Sequence, residues 1–148
     1  MSDDKNAMVQ KLRETVIPRL RSLGFKETLP HFRRLNAETI DLITFQTDRY
    51  GGGFVIELAK TNNETLVKPW GKEILPNKLT AHDLNKRIRI HPVGQLKDSS
   101  TEDWFRYDRD IPGKQDRYSH VADQVANQIE NIERLFKLNI GEWNSLAR

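Results

Sequence analysis

The stretch that decides the fold runs from Thr39 to Lys60: TIDLITFQTDRYGGGFVIELAK. Ile40, Leu42, Ile43, Thr44 and Phe45 give its first half the composition of a strand, over Thr39–Asp48. Its second half alternates. Phe54, Ile56 and Leu58 point one way and Val55, Glu57 and Ala59 the other, because side chains on a strand repeat every second residue. That predicts a strand over Gly53–Lys60. Tyr50-Gly51-Gly52-Gly53 lies between the two and can turn one into the next. No crossover of about a dozen residues separates them, so they pair antiparallel. A glycine triplet can also cradle a phosphate, but only where a helix N-terminus follows directly. Here Phe54-Val55-Ile56 follows, and the triplet reads as a hairpin.

Working outward, Pro30–Asn36 reads as a strand around Phe32 and Leu35, turned into the next by Asn36-Ala37-Glu38. Before it, Met8, Leu12, Val16, Leu20 and Leu23 recur at spacings of three and four, predicting a helix over Asp4–Leu23. Ser2, Asp3 or Asp4 can cap its start, and Gly24 its end. Pro18 removes an amide donor, so the helix is kinked or is two pieces. Downstream, Thr61–Asn85 is irregular, punctuated by Pro69-Trp70-Gly71 and Pro76-Asn77, with a helical turn starting at Thr80. Lys86–His91 alternates Arg87, Ile88, Arg89, Ile90, a strand with one wet face. Gly94–Asp103 is a polar loop, and Trp104–Tyr107 a last short strand. Asp110–Lys114 turns around Pro112-Gly113. A second helix spans Arg117–Leu138, with Val121, Val125, Ile129, Ile132 and Phe136 on its apolar face and Ser119 where a cap would sit. Gly141 follows it, and Trp143 lies in a tail that docks or frays. The expectation is one α+β domain over residues 1–148. Its core is a mainly antiparallel sheet of four to five strands, flanked on one face by an N-terminal and a C-terminal helix.

A chain of 148 residues is the size of one domain and can bury about 68–70% of the surface its unfolded form exposes. It contains no cysteine, which excludes disulfides, thiolate metal sites and cysteine nucleophiles and suits a reducing compartment. The start, Met1-Ser2-Asp3-Asp4-Lys5, is polar and acidic, unlike a secretory signal. Dense apolar runs such as Phe54-Val55-Ile56 are far short of the roughly 20 residues a bilayer needs. A cytoplasmic protein without membrane contact is expected. Twenty-four Lys and Arg against 21 Asp and Glu give a net charge of +3, with both signs interleaved along the chain. That is the pattern of a solvated surface more than of a concentrated basic stripe.

His31, His82, His91 and His120 show no ligand spacing, so no metal is expected. No serine sits on a strand-to-helix elbow beside a base. Some metal-dependent nucleases carry an acid on one strand of a meander, and an acid and a lysine two residues apart on the next. Asp41, Glu57 and Lys60 approach that pattern. Glu57 and Lys60, however, are three residues apart and face opposite sides of a regular strand. Trp70, Trp104, Phe105 and Tyr107 can line a groove, or can be core. If Lys86–His91 pairs with Trp104–Tyr107, arginines and aromatics share a face. The resulting expectation is a non-enzymatic binding protein without a cofactor. Arg87, Arg89, Trp104, Arg106 and Gln46 are its candidate ligand-binding residues, and an acidic protein or acidic ligand is its partner. Toxin neutralisation is one version of that role. Nucleic-acid binding is the alternative, followed by a metal-dependent hydrolase using Asp41 and Glu57.

Several of these runs also carry a resemblance. Leu23-Gly24-Phe25-Lys26, Phe32-Arg33-Arg34, Ile40-Asp41-Leu42-Ile43-Thr44-Phe45-Gln46 and Phe54-Val55-Ile56-Glu57 resemble a bacterial family catalogued as a domain of unknown function (DUF4304). Arg87-Ile88-Arg89-Ile90 and Asp103-Trp104-Phe105 fit its later arginine-rich and tryptophan-bearing strands, so the likeness covers about residues 10–110. It implies a small bacterial α+β protein and supplies no activity, cofactor or catalytic residue.

Overall fold

The computed structural model describes residues 2–96, 98–113 and 116–148. The end of the turn expected at Lys114 and the cap expected from the Ser2 side chain lie outside the described parts. The deciding stretch forms two long strands, β3 (Thr39–Thr47) and β4 (Gly53–Asn62), paired antiparallel with Phe45 opposite Ile56 and Asp41 opposite Lys60. β2 (His31–Leu35) pairs with the other edge of β3, and β1 (Lys26–Thr28), which the sequence did not announce, pairs with β2. β7 (Ile88–Ile90) and β8 (Phe105–Arg106) do not pair with each other. They lie end to end along the free edge of β4, β7 beside Ile56–Leu58 and β8 beside Gly53–Phe54. The result is an antiparallel sheet of six strands in an α+β architecture. A small hairpin, β5 (Leu66–Val67) with β6 (Glu73–Ile74), stands apart from it, so the Thr61–Asn85 stretch is more regular than expected.

The alternation in β4 and its neighbours sorts the sheet into two faces. On one, Phe32, Ile43, Phe45, Phe54, Ile56, Leu58, Ile88, Ile90 and Phe105 are buried under the helices. Each fully buried residue of this kind contributes about 1.5–3 kcal/mol. The first helix is two pieces, α1 (Ser2–Thr15) and α2 (Ile17–Ser22), broken at Val16, with Pro18 in the first turn of α2 where its missing donor costs little. Gly24 ends α2 at φ +97°, and the Phe25 amide donates back to the Leu20 carbonyl. α3 (Arg117–Phe136) presents the expected stripe Val121, Val125, Ile129, Ile132 and Phe136 to the sheet. Its cap is Asp116, not Ser119; the Ser119 amide and hydroxyl both donate to the Asp116 carboxylate. The tail docks: α4 (Ile140–Leu146) buries Trp143 completely, stacked on Phe136 with ring centroids 5.4 Å apart.

The second face is only half covered. At one end Ile40, Leu42 and Ala59 pack with Ile74, Leu79 and Ala81 from the 66–84 excursion. Arg33 pins that excursion down by donating from Nε to the Leu79 carbonyl at 2.9 Å. At the other end His31, Gln46, Arg87 and Arg89 reach solvent.

Candidate functional site

The two buried carboxylates of the β3–β4 pair face opposite ways and meet different company. Asp41, on the helix side, accepts from Lys60 Nζ at 2.8 Å, from Arg34 Nε at 3.0 Å and from Asn36 Nδ2 at 3.0 Å. Arg34 also donates twice to Glu133 and lies over the Phe25 ring, 4.3 Å from its centroid. Lys60 donates to the Phe136 carbonyl as well. This network ties β2, β3, β4 and α3 together and commits both oxygens of Asp41 to cationic or amide donors. Glu57 lies on the other face, as its spacing from Lys60 required. Asp41, Glu57 and Lys60 therefore do not form the nuclease constellation.

Glu57 is 3% exposed, yet the side chains that hold it reach the surface. Its Oε1 is 2.9 Å from His82 Nε2, and its Oε2 accepts from Arg89 Nε at 3.0 Å with Arg87 Nε at 3.5 Å. Because Ile88 and Ile90 point into the core, Arg87 and Arg89 point out on the same side, above the carboxylate. Both arginines use Nε on Glu57. Among the described residues their terminal Nη groups make no further hydrogen bond, so two guanidinium forks are aimed outward from one buried anchor. Arg87 and Arg89, with Leu96, Asp98, Ser99 and Arg148, line a cleft of about 430 Å³ over Glu57. Behind it His91 is fully buried, with Nε2 2.9 Å from Ser99 Oγ. Burial holds its imidazole below the usual histidine range, and nearby Arg89 adds to this while a backbone bond at Gly94 and the charge of Asp103 oppose it.

The structure gathers only part of the expected arginine–aromatic set. Trp104 is nearly buried and carries the Arg89 guanidinium over its ring, 5.6 Å from the centroid. That places Arg87, Arg89 and Trp104 together. Arg106 is elsewhere and fully engaged. It donates to Asp108, to Asp48 at 2.7 Å and to the carbonyls of Gly51 and Thr101. The hydrogen bonds to Asp108, and then to Asp48, raise its affinity for its proton against the cost of burial, and both carboxylates are held below their ordinary range. Arg106 clips the β3–β4 hairpin. The glycine triplet is its seat: a Cβ on Gly52 would stand 2.3 Å from Asp108 Oδ2, and one on Gly53 2.7 Å from Arg106 Nη1. Phe105 and Tyr107 belong to the core, and Trp70 stands exposed on the distant β5–β6 hairpin, so the four aromatics form no common groove. Gln46 lines a separate cleft beside α1.

The profile of a family described as a domain of unknown function (DUF4304) matches residues 16–138. The chain belongs to this DUF4304 family. The match takes in β1–β8 and α3, and so includes Glu57, His82, Arg87, Arg89 and Trp104, while α1 and α4 fall outside it. The chain matches no curated protein and no solved structure at significant similarity. Among the described residues no helix is long and apolar enough to cross a membrane, and no three metal-ligating side chains are grouped to hold an ion.

Sequence reasoning missed three parts of this site: Glu57 as the anchor of two arginines, His82 as its third partner, and Arg148, whose backbone pairs with Arg87 and brings its side chain to the cleft. The alternation in β4 did place Glu57 on the face opposite Phe54, Ile56 and Leu58. His82 and Arg148 carried no signal, because only tertiary folding brings them across.

Proposed function

We propose that this DUF4304 domain is a non-enzymatic binding protein that takes an acidic partner on the open half of its sheet, through Arg87 and Arg89. The observation that carries the reading is the buried Glu57 carboxylate holding both arginines by Nε. A guanidinium held along one edge loses little freedom when its other edge meets a carboxylate, and paired forks suit the planar, bidentate geometry of such groups. Trp104 beneath Arg89 adds a flat apolar floor.

The charge of the cleft favours a protein surface over a nucleic acid. Arg87, Arg89 and Arg148 are set against Glu57 and Asp98, a small local excess of positive charge. That excess matches a few carboxylates and falls short of a basic track for a phosphate backbone. Covering an acidic surface of a toxin is one form of this role. The cysteine-free composition suits work in the reducing bacterial cytoplasm.

The test uses a fluorescent poly-glutamate peptide and a single-stranded DNA of matched charge. The wild-type protein should bind the peptide at moderate salt, and the double variant Arg87→Glu/Arg89→Glu should lose it while keeping the native circular dichroism spectrum. Unchanged peptide binding by the double variant would remove the site. DNA binding that is tighter than peptide binding and falls steeply with salt would replace the reading with the nucleic-acid alternative.

A further inference from the structure

β2 begins at His31, opposite Thr44, while β3 continues through Phe45, Gln46 and Thr47 without a β2 partner. α1 crosses near this gap. Between them lies a cleft of about 380 Å³, in the range of small-molecule sites. Its wall is apolar: Met8 and Leu12 from α1, Phe45 and Phe54 from the sheet, and Tyr107 beside β8, all buried in the core beneath. It wraps round the uncovered edge of β3, and its other end, on the second face of the sheet, is polar, holding His31, Thr44 and His82. Two exposed cations of α1, Lys5 and Arg13, line it as well. No acidic side chain lines this cleft among the described residues.

The two imidazoles stand edge to face, with centroids 5.7 Å apart, and each is held by a buried partner. His31 Nδ1 is 2.8 Å from the hydroxyl of Thr44, and His82 Nε2 is 2.9 Å from Glu57. Burial, and then the neighbouring His82 and Arg33, hold His31 below the usual histidine range, with Asp83 opposing. With Nδ1 engaged by Thr44, the Nε2 of His31 makes no hydrogen bond among the described residues and is left for a ligand. The cleft thus joins a greasy wall, a half-buried imidazole held by Thr44, and two cations on its helical side.

We propose that this cleft binds an amphiphilic monocarboxylate, a medium-length acyl or aryl acid. Its apolar body lies along Met8, Leu12, Phe45 and Phe54, and its acid group turns toward His31 within the field of Lys5 and Arg13. The apolar wall supplies affinity without direction, and the charge separates an acid from the matching alcohol. This site is distinct from the arginine cleft, though Glu57 anchors side chains of both.

The test is displacement of 8-anilinonaphthalene-1-sulfonate fluorescence by decanoate and by decanol. Decanoate should displace the dye at concentrations below its own aggregation, and decanol should be about tenfold weaker, an electrostatic difference of about 1.4 kcal/mol. Val9 also lines the cleft from α1, and Val9→Trp, which fills it, should abolish both. The surface variant Lys5→Glu/Arg13→Glu preserves the fold; it should weaken decanoate about tenfold and leave decanol unchanged. Arg87→Glu/Arg89→Glu should leave decanoate unchanged, which separates this proposal from the acidic-partner reading. No displacement by decanoate overturns it, as does equal displacement by acid and alcohol. If Val9→Trp fails to fold, unchanged decanoate binding by the double charge variant overturns it alone.

Discussion

Replacing each buried carboxylate of the β3–β4 pair by leucine should separate a structural ion network from a surface-directed one. Asp41 and Glu57 are buried alike, 2% and 3% exposed. Their partners are not. Lys60 is 6% exposed and Arg34 17%, whereas Arg87, His82 and Arg89 are 30%, 39% and 46% exposed. Asp41→Leu strands the Lys60 ammonium in the core with only the Phe136 carbonyl and the Thr39 hydroxyl. Arg34 keeps Glu133 and the Leu23 carbonyl. Breaking a buried pair from one side costs about 3–5 kcal/mol. Glu57→Leu frees two guanidinium groups and an imidazole that water can reach, so the loss is about 1–2 kcal/mol, from hydrogen bonds replaced by hydration. Urea unfolding with a slope near 2 kcal/mol/M should therefore move the midpoint down by roughly 2 M for Asp41→Leu and by under about 1 M for Glu57→Leu. Adding Lys60→Met to Asp41→Leu should recover part of the loss, a coupling of about 1–3 kcal/mol. Equal losses for the two single variants would refute the division, as would no recovery in the double variant.

Three further outcomes follow from the same structure. Gly51 and Gly52 both sit at positive φ, near +86° and +82°, so alanine at either costs about 1–2 kcal/mol; Gly52→Ala should cost distinctly more by thermal melting, because it alone meets Asp108 and Arg106. His31 and His91 have folded values below the unfolded one, so the unfolded chain binds more protons between the two. Stability should then be full above about pH 7 and fall as the pH drops through the ordinary histidine value, and His91→Gln should flatten a melting-temperature profile taken from about pH 7.5 to 5.5. Arg106→Lys, which keeps the charge but not the fork, should speed amide exchange at the Asp48 and Tyr107 amides bonded to Gly53 and Gly52, leaving exchange in α3 unchanged.

Much of the fold was legible because local chemistry and tertiary packing agreed over most of the chain. The alternation Phe54, Ile56, Leu58 gave the face of β4, and the stripe from Val121 to Phe136 gave that of α3. β1 escaped because Lys26, Glu27 and Thr28 are exposed and show no buried face to read. The neighbours of β7 and β8 were not legible, because periodicity fixes a strand's face and says nothing of its neighbour. Both segments in fact share β4, which is long enough to take them in series. Arg106 was counted with the ligand-binding arginines because a sequence shows a guanidinium's presence and not its bonds. Asp48 and Asp108 engage it through a hairpin turn that only the glycine triplet leaves room for.

That difference in bonding separates Arg34 and Arg106 from Arg87 and Arg89. Arg34 and Arg106 have two carboxylates each and sit largely inside, so their positive charge is spent on holding strands together. Arg87 and Arg89 share a single carboxylate, which is itself also shared with His82. One negative charge cannot neutralise two guanidinium groups. Burying that charge under the strand is costly unless the groups above it hold it firmly. The arrangement therefore fixes two arginines in place and leaves their surplus charge pointing at solvent. An open sheet face that is uncharged, or fully paired, could do without it. The unequal count of two guanidinium groups on one carboxylate is the strongest physical reason to look for the proposed acidic partner at Arg87 and Arg89.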